Sequence, residues 1–192
     1  TTEKLGPSLW HMHPLVFLDS LKLNELNQVA WGCKVSKEFK SKVIDVCCRL
    51  KINPDYLMAC MAFETGETFS PSIKNPNGSA TGLIQFMAAT ARALGTTTNE
   101  LALMTSIEQM DYVEKYFKSY TGKLHTIEDV YMVIFCPKAV GKSADFILYD
   151  GGRSYYDNKG LDLDSDGKIT KYEAGVKVRE KLKLGNSKGY RG

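Results

Sequence analysis

The run Leu57-Met58-Ala59-Cys60-Met61-Ala62-Phe63 is apolar on every side of a helix, and no other stretch constrains the fold as strongly. A helix without a polar face has nothing to offer water, so other elements have to enclose it. Its ends are also legible. Asn53 suits an N-cap, Pro54 suits the first helical position, Asp55 favours the positive end of the helix dipole, and Gly66 breaks the chain after Glu64. Glu64 then has two readings. Beside Cys60, Met61 and Phe63, desolvation would hold its proton above the ordinary carboxylate range, as a general acid near neutral pH requires. Alternatively it leaves the core at the helix end and pairs with a lysine.

The enclosing elements are helical. Ser36 caps a segment in which Phe39, Val43, Val46, Cys47 and Leu50 share one stripe. Asn24 to Ala30 reads as a short helix closed by Gly32, Gly82 to Gly95 as a helix with a glycine stop, and Thr98 to Leu101 as a helical turn. Ser106 with Gln109 reads as a capping box opening a helix whose buried stripe is Met110, Val113, Phe117 and Tyr120, stopped by Gly122. Thr126 with Asp129 opens a last apolar helix that Pro137 ends. Glu67 to Ser79 is a loop rich in Pro, Asn, Ser and Gly, of a length that is often functional. Phe146 to Tyr149 is the best strand candidate. The expected class is mainly α.

With 192 residues, 43% of them hydrophobic, the chain suits one domain over residues 14–192, preceded by an extension or cloning remnant over 1–13 that includes His11-Met12-His13. No run approaches the roughly 20 apolar residues of a membrane span, and no signal peptide is visible. Five cysteines, at 33, 47, 48, 60 and 136, contain no CxxC pair and read as small buried hydrophobes of a reducing compartment. Histidines 11, 13 and 125 have no metal-ligand spacing, which sets aside zinc chemistry and a Cys/His nucleophile together. Lys177, Arg179, Lys181, Lys183, Lys188 and Arg191 crowd the end of the chain against Glu180 alone. Such a run can steer a protein toward an anionic surface, or simply be a solvated helix face.

Asp162-Leu163-Asp164-Ser165-Asp166-Gly167-Lys168-Ile169-Thr170-Lys171-Tyr172-Glu173 fits the twelve-residue calcium-loop pattern at every constrained position. Oxygens of Asp162, Asp164 and Asp166 would converge on the ion, Gly167 allows the turn, Lys168 offers its carbonyl, Thr170 binds directly or through water, and Glu173 closes the site. A helix over 174–184 should follow. The flank Gly151 to Gly160 reads as non-helical, and no second loop is present to pair with, so a structural calcium site is expected rather than a sensor. The other reading is a degenerate loop that stays empty.

Phe63-Glu64-Thr65-Gly66, the loop with Phe69-Ser70-Pro71, and Ala80-Thr81-Gly82-Leu83-Ile84-Gln85-Phe86-Met87 with Thr90-Ala91 and Leu94-Gly95 together resemble the lysozyme-like lytic transglycosylases and goose-type lysozymes. The likeness is strongest over residues 54–95 and extends through Tyr112, Tyr131 and the turn from Pro137 to Gly141. It is closest in look to bacteriophage wall-degrading proteins that carry one calcium loop after the lysozyme-like domain. Cys136 to Gly141 lacks the asparagine of the family's Tyr-Asn-Ala-Gly type motif.

The resemblance implies an α-helical lysozyme-like fold and cleavage of the β-1,4 bond between N-acetylmuramic acid and N-acetylglucosamine in peptidoglycan. It implies Glu64 as general acid and base, Gln85, Tyr131, Tyr112 and Thr65 as substrate-binding, and release of 1,6-anhydro products. Hydrolysis of the same bond, a non-catalytic wall-binding or virion structural module, and a calcium sensor are the alternatives. Read from the residues alone, Gln85 bonds nearby backbone, Tyr112 and Tyr131 are core packing, and Glu67 is a loop residue that could repel Glu64 or face solvent. No nucleic acid, no membrane insertion, no organic cofactor and a monomer are expected. The absence of a leader and of disulfides fits synthesis in a host bacterial cytoplasm, followed by release through a holin or carriage in a virion.

Overall fold

The computed structural model describes residues 27–75 and 78–192. The expected extension over 1–13 and the first residues of the expected helix Asn24 to Ala30 lie outside them. Residues 27–30 are not helical and lead into a short 3-10 turn, Gly32–Lys34. The described residues form eight α-helices and one two-stranded sheet, so the chain is mainly helical: α1 Lys37–Leu50, α2 Pro54–Glu64, α3 Ala88–Ala93, α4 Thr98–Leu103, α5 Ser106–Phe117, α6 Ile127–Phe135, α7 Gly152–Asp157 and α8 Lys171–Gly185, with β1 Ile147–Asp150 and β2 Lys168–Thr170. No helix among the described residues is long and apolar enough to cross a membrane.

Helix α2 is the centre. Leu57, Met58, Ala59, Cys60, Met61 and Ala62 are all fully buried, so burial here is a property of the whole cylinder and not of one stripe. It packs on α1, α6 and, most extensively, α8. Asn53 accepts a hydrogen bond from the Asp55 amide at 2.9 Å as the N-cap. The Asp55 carboxylate does more than face the helix dipole: it accepts from the Ala30 amide at 2.8 Å and from Arg191 at 2.8 Å, tying both ends of the described chain to the start of α2. α1 buries the expected stripe of Phe39, Val43, Val46, Cys47 and Leu50 against α2 and α5.

Five local expectations change. The helix expected from Gly82 starts only at Ala88, because the Thr81 and Phe86 backbones bond to each other in both directions, at 3.1 and 2.8 Å, and close a turn. Gly82 and Gln85 both take positive φ within it, at 84° and 52°. Antiparallel contacts from Ile73 to Asn75 with Ala80 to Gly82 make the preceding loop and this turn one unit. The capping box of α5 lies one residue earlier than expected, with Thr105 and Glu108 bonded reciprocally, which leaves Gln109 outside it. Thr126 caps α6, but Asp129 does not answer it, since its carboxylate turns to Lys171 and Gly141. The stretch 151–160 is helical after all, through α7 and the 3-10 turn Lys159–Leu161. Tyr120 falls in a 3-10 turn after α5 and is half-buried.

The strand expected near residues 146–149 forms as β1. It pairs antiparallel with β2, inside the acidic loop, through Ile147 with Thr170, Tyr149 with Ile169 and Asp150 with Lys168. Beyond β2, Lys171 and Asp129 make a buried ion pair at 2.6 Å. Asp129 also accepts from the Gly141 amide at 2.8 Å, and Lys171 also donates to the Lys142 carbonyl at 2.7 Å. Burial alone would raise the Asp129 pKa, but the hydrogen bonds from Lys171 and Gly141 outweigh it and hold the carboxyl below its ordinary range. The pair thus stabilises the fold above the unfolded-state pKa, and that stability is lost as pH falls through the lowered folded value.

Asp129→Ala would strand a buried ammonium and the Gly141 amide. The expected loss is about 3–5 kcal/mol in urea unfolding at neutral pH. A loss below about 1 kcal/mol, the range of exposed pairs, would show that solvent screens this one too.

Candidate active site and acidic loop

Glu64 is the last residue of α2 and stands half-buried, where the apolar helix meets solvent. Among the described residues its carboxyl has neither a hydrogen bond nor an ion pair. Burial is the sole cause pushing its pKa up to about 7. The lysine that could have neutralised the helix end goes elsewhere: Glu67, three residues on, binds Lys181 of α8 at 2.5 Å. Glu67 therefore neither pairs with Glu64 nor raises its pKa. Glu128, on α6, is likewise occupied by Arg179 at 2.5 Å.

Thr65 is fully buried. Its hydroxyl donates to the Met61 carbonyl at 2.7 Å and accepts from the Phe69 amide at 3.0 Å. It has no surface to offer a substrate, which corrects the expectation that it binds one; it fixes the chain leaving Glu64. Phe69 then inserts between Trp31 and Phe39, with ring centroids at 6.1 and 6.3 Å, and anchors the loop in the core.

Tyr131 comes up beside Glu64. Its hydroxyl pKa is pushed up first by burial and then by the Glu64 charge, with smaller effects of Cys60 and Tyr149. Its ring meets Phe63 edge-on at 5.6 Å and stacks on Phe135 at 5.4 Å and 7°, and Phe135 meets Tyr149 edge-on at 6.0 Å. An aromatic row thus runs from the helix end to β1. Phe135 and Tyr149 were not anticipated as neighbours of the site. Phe135 is one helical turn from Tyr131, a signal present in the sequence, whereas Tyr149 arrives on a strand and leaves no local trace. Cys60, one turn before Glu64, is fully buried, and desolvation followed by the Glu64 charge keeps its thiol protonated.

Gln85 donates from Nε2 to the Gly82 carbonyl at 3.0 Å and, weakly, to the Ile73 carbonyl at 3.4 Å. Its side-chain oxygen has no partner among the described residues. Tyr112 lies on α5, half-buried, with the Lys115 ammonium 4.5 Å from its ring centre; among the described residues it is not joined to Glu64.

In the acidic loop, Asp162, Asp164 and Asp166 bring one oxygen each within 4.8 Å of one another. Oδ2 of Asp162 accepts from Tyr155 at 2.7 Å and from the Gly167 amide at 3.1 Å, while its Oδ1 is buried without a partner. A buried oxygen left unpaired in an acidic loop is what a cation would satisfy, so the aspartates fit the calcium expected of the sequence. Gly167 takes the positive φ of 87° that the turn needs. Lys168 stands in β2 opposite Asp150. Thr170 and Glu173 are engaged differently from expectation. The Thr170 hydroxyl donates to Glu173 Oε2 at 2.7 Å in the capping box of α8, and Glu173 Oε1 accepts from the Leu163 amide at 2.9 Å. Glu173 offers a spare lone pair on one oxygen here, and bidentate closure would require it to release Thr170.

Half of the basic run at the end of the chain is taken up by tertiary pairing, Arg179 with Glu128, Lys181 with Glu67 and Arg191 with Asp55, and Lys177 pairs locally with Glu180. Comparison with models of known protein families and with curated proteins finds no match for this chain.

A carboxyl with its pKa raised by folding binds a proton more tightly in the native state. Stability therefore falls as pH rises from the unfolded value to about 7 and stays lowered above it. Glu64→Gln should stabilise the protein by about 1–3 kcal/mol at pH 8 and leave it unchanged at pH 4. Equal unfolding midpoints for both proteins at pH 8 would place the carboxyl in solvent.

Proposed function

We propose that this protein is a peptidoglycan-degrading muramidase that cleaves the β-1,4 bond between N-acetylmuramic acid and N-acetylglucosamine, with Glu64 as its acid and base. The observation that carries the reading is a carboxyl at the end of a buried helix, without a cation, whose proton burial alone retains to about pH 7. The resemblance over residues 54–95 to lysozyme-like transglycosylases gives that acid its substrate.

The chemistry follows from one carboxyl. Protonated Glu64 gives its proton to the glycosidic oxygen as the bond to the muramyl C1 breaks, leaving positive charge on the sugar and a carboxylate beside it. The carboxylate then takes the proton of the muramyl 6-hydroxyl while that oxygen attacks C1, closing a 1,6-anhydro ring and restoring the acid. Glycosidases with two working carboxylates hold them about 5–9.5 Å apart. Here Glu67 and Glu128 are each held by a cation, which favours an internal nucleophile over a second acid and supports the transglycosylase over the hydrolase reading. The aromatic row from Phe63 to Tyr149 suits the apolar faces of sugar rings.

The acidic loop is assigned a structural calcium ion, held by Asp162, Asp164 and Asp166 with the Lys168 carbonyl, Thr170 and Glu173 completing the set. When bound, the ion would offset two of the loop's carboxylate charges and brace β2, and through it β1 and α8. The substrate is bacterial peptidoglycan, met by a monomer after release or on a virion.

Glu64→Gln should abolish solubilisation of purified walls while the protein stays folded. Mass spectrometry of wild-type products should give anhydro-muropeptides, one water lighter than hydrolytic ones. The acid must be protonated to start, so wild-type rates should hold below about pH 7 and decline as pH rises through that value. Retained clearing by Glu64→Gln would sink the reading.

Calcium should raise the Tm of chelator-treated protein, by an amount corresponding to about 2.7 kcal/mol at a hundredfold excess over its Kd. Asp162→Ala should remove that increment. An unchanged melting curve on adding calcium would mean that the loop is not a site.

A further inference from the structure

Gln109 is fully buried and lies outside the capping box of its helix. Its side-chain oxygen accepts from the Leu83 amide at 2.7 Å, and its nitrogen donates to the Leu101 carbonyl at 2.9 Å and to the Pro71 carbonyl at 3.0 Å. One amide thus joins three segments: the loop that leaves Glu64, the 81–86 turn that carries Gln85, and the end of α4. Both of its N–H groups are used, and buried polar groups of the backbone depend on it in turn. Gly82 belongs to the same arrangement, since a Cβ there would collide with the Gln109 amide.

We infer that Gln109 is a positioning residue for the cleavage reaction, fixing the loop that leaves Glu64 and the turn that carries Gln85 relative to one another. The inference rests on the muramidase reading above. The loop has its near end fixed one residue from the acid, where Thr65 receives the Phe69 amide. Two residues further on, Pro71 meets Gln109. From there the same side chain reaches Leu83, two residues from Gln85. Gln85 holds φ of 52°, a backbone state that a non-glycine residue keeps only when its surroundings impose it. Gln109 fixes the turn that imposes it. Neither the oxygen nor the nitrogen of Gln109 touches solvent, so it acts through Pro71 and Leu83 and not on substrate.

The test uses the full chain and purified peptidoglycan, with initial rates measured over a range of wall concentrations and corrected for folded fraction by near-UV circular dichroism. Gln109→Leu should lower kcat by about tenfold to a hundredfold, with KM moving less, because misplacement of groups by an ångström acts on the reaction more than on binding. Gln109→Glu keeps the volume and still accepts from Leu83, but its carboxylate faces two carbonyls. Lowering the pH gives that side chain back one donor, so its kcat relative to wild type at the same pH should rise as pH falls. Gln109→Glu carries the test alone if Gln109→Leu does not fold.

A purely structural residue would lower Tm and leave both the rate per folded molecule and the pH profile as in wild type; that result overturns the inference. Glu64→Gln, assayed alongside, separates the two levels. If it is inactive while the Gln109 variants match wild type, only the role of Gln109 falls. If it clears walls like wild type, the muramidase reading falls and this inference with it.

Discussion

Everything in this fold follows from enclosing α2. An apolar cylinder needs neighbours on all sides, and a chain of this size has to recruit them from distant segments. α1 supplies one stripe, α6 a second, and α8, over a hundred residues downstream, covers the largest share. Each fully buried leucine or methionine in α2 contributes roughly 1.5–3 kcal/mol, so losing α8 would expose the most apolar surface in the molecule. At the far end of this helix the Glu64 carboxyl stands only half-buried, because the chain turns away at Gly66.

The acidic loop is coupled to this arrangement by position. β2 and α8 are consecutive, so whatever orders the loop also sets the start of the helix that covers α2. The buried pair of Lys171 with Asp129 fixes the first turn of α8 against α6, while the exposed or half-exposed pairs farther along, Arg179 with Glu128 and Lys181 with Glu67, set its rotation more than its stability. A loop that holds three aspartates together without a cation repels itself. Occupancy by calcium would therefore act on the core through α8, although the loop contributes little to the core itself.

Helix existence was legible wherever caps and periodicity agreed: Ser36 with the α1 stripe, Asn53-Pro54 with α2, and Thr126 with α6 all form as the residues suggest. What could not be read were competitions won by distant partners. Gly82-Leu83-Ile84-Gln85 has helical composition, yet the Ile73 carbonyl takes the Gly82 amide and Gln109 takes that of Leu83, and these bonds hold a turn in place of a helix. Asp129 is spaced to answer Thr126, but a buried lysine 42 positions away outbids it. The α5 box moved by one residue because threonine and glutamate at 105 and 108 satisfy the same rule as serine and glutamine at 106 and 109. At the candidate site the helix end at Glu64 was legible from the residues around it, whereas the burial of Thr65 and the arrival of Tyr131 and Tyr149 beside one aromatic row depend on tertiary contacts.

The fate of Lys181 argues against one of the two readings that the sequence left open for Glu64, a helix-end carboxylate paired with a lysine. An ammonium on α8 reaches the turn after α2, close enough in sequence to have neutralised either carboxylate there. It binds Glu67, which takes φ of 70° and leaves the helix direction to meet it. Had it bound Glu64, the carboxyl would be ionised at all ordinary pH values, and the fold would be more stable by the Coulomb attraction and the relieved desolvation. The chain instead keeps an unpaired, partly desolvated carboxyl at the end of its most buried element, and accepts a stability that declines toward pH 7. A helix end needing only a solubilising charge would gain from the opposite choice. The arrangement leaves a carboxyl that holds its proton toward neutral pH, the property on which the proposed role of Glu64 as an acid rests.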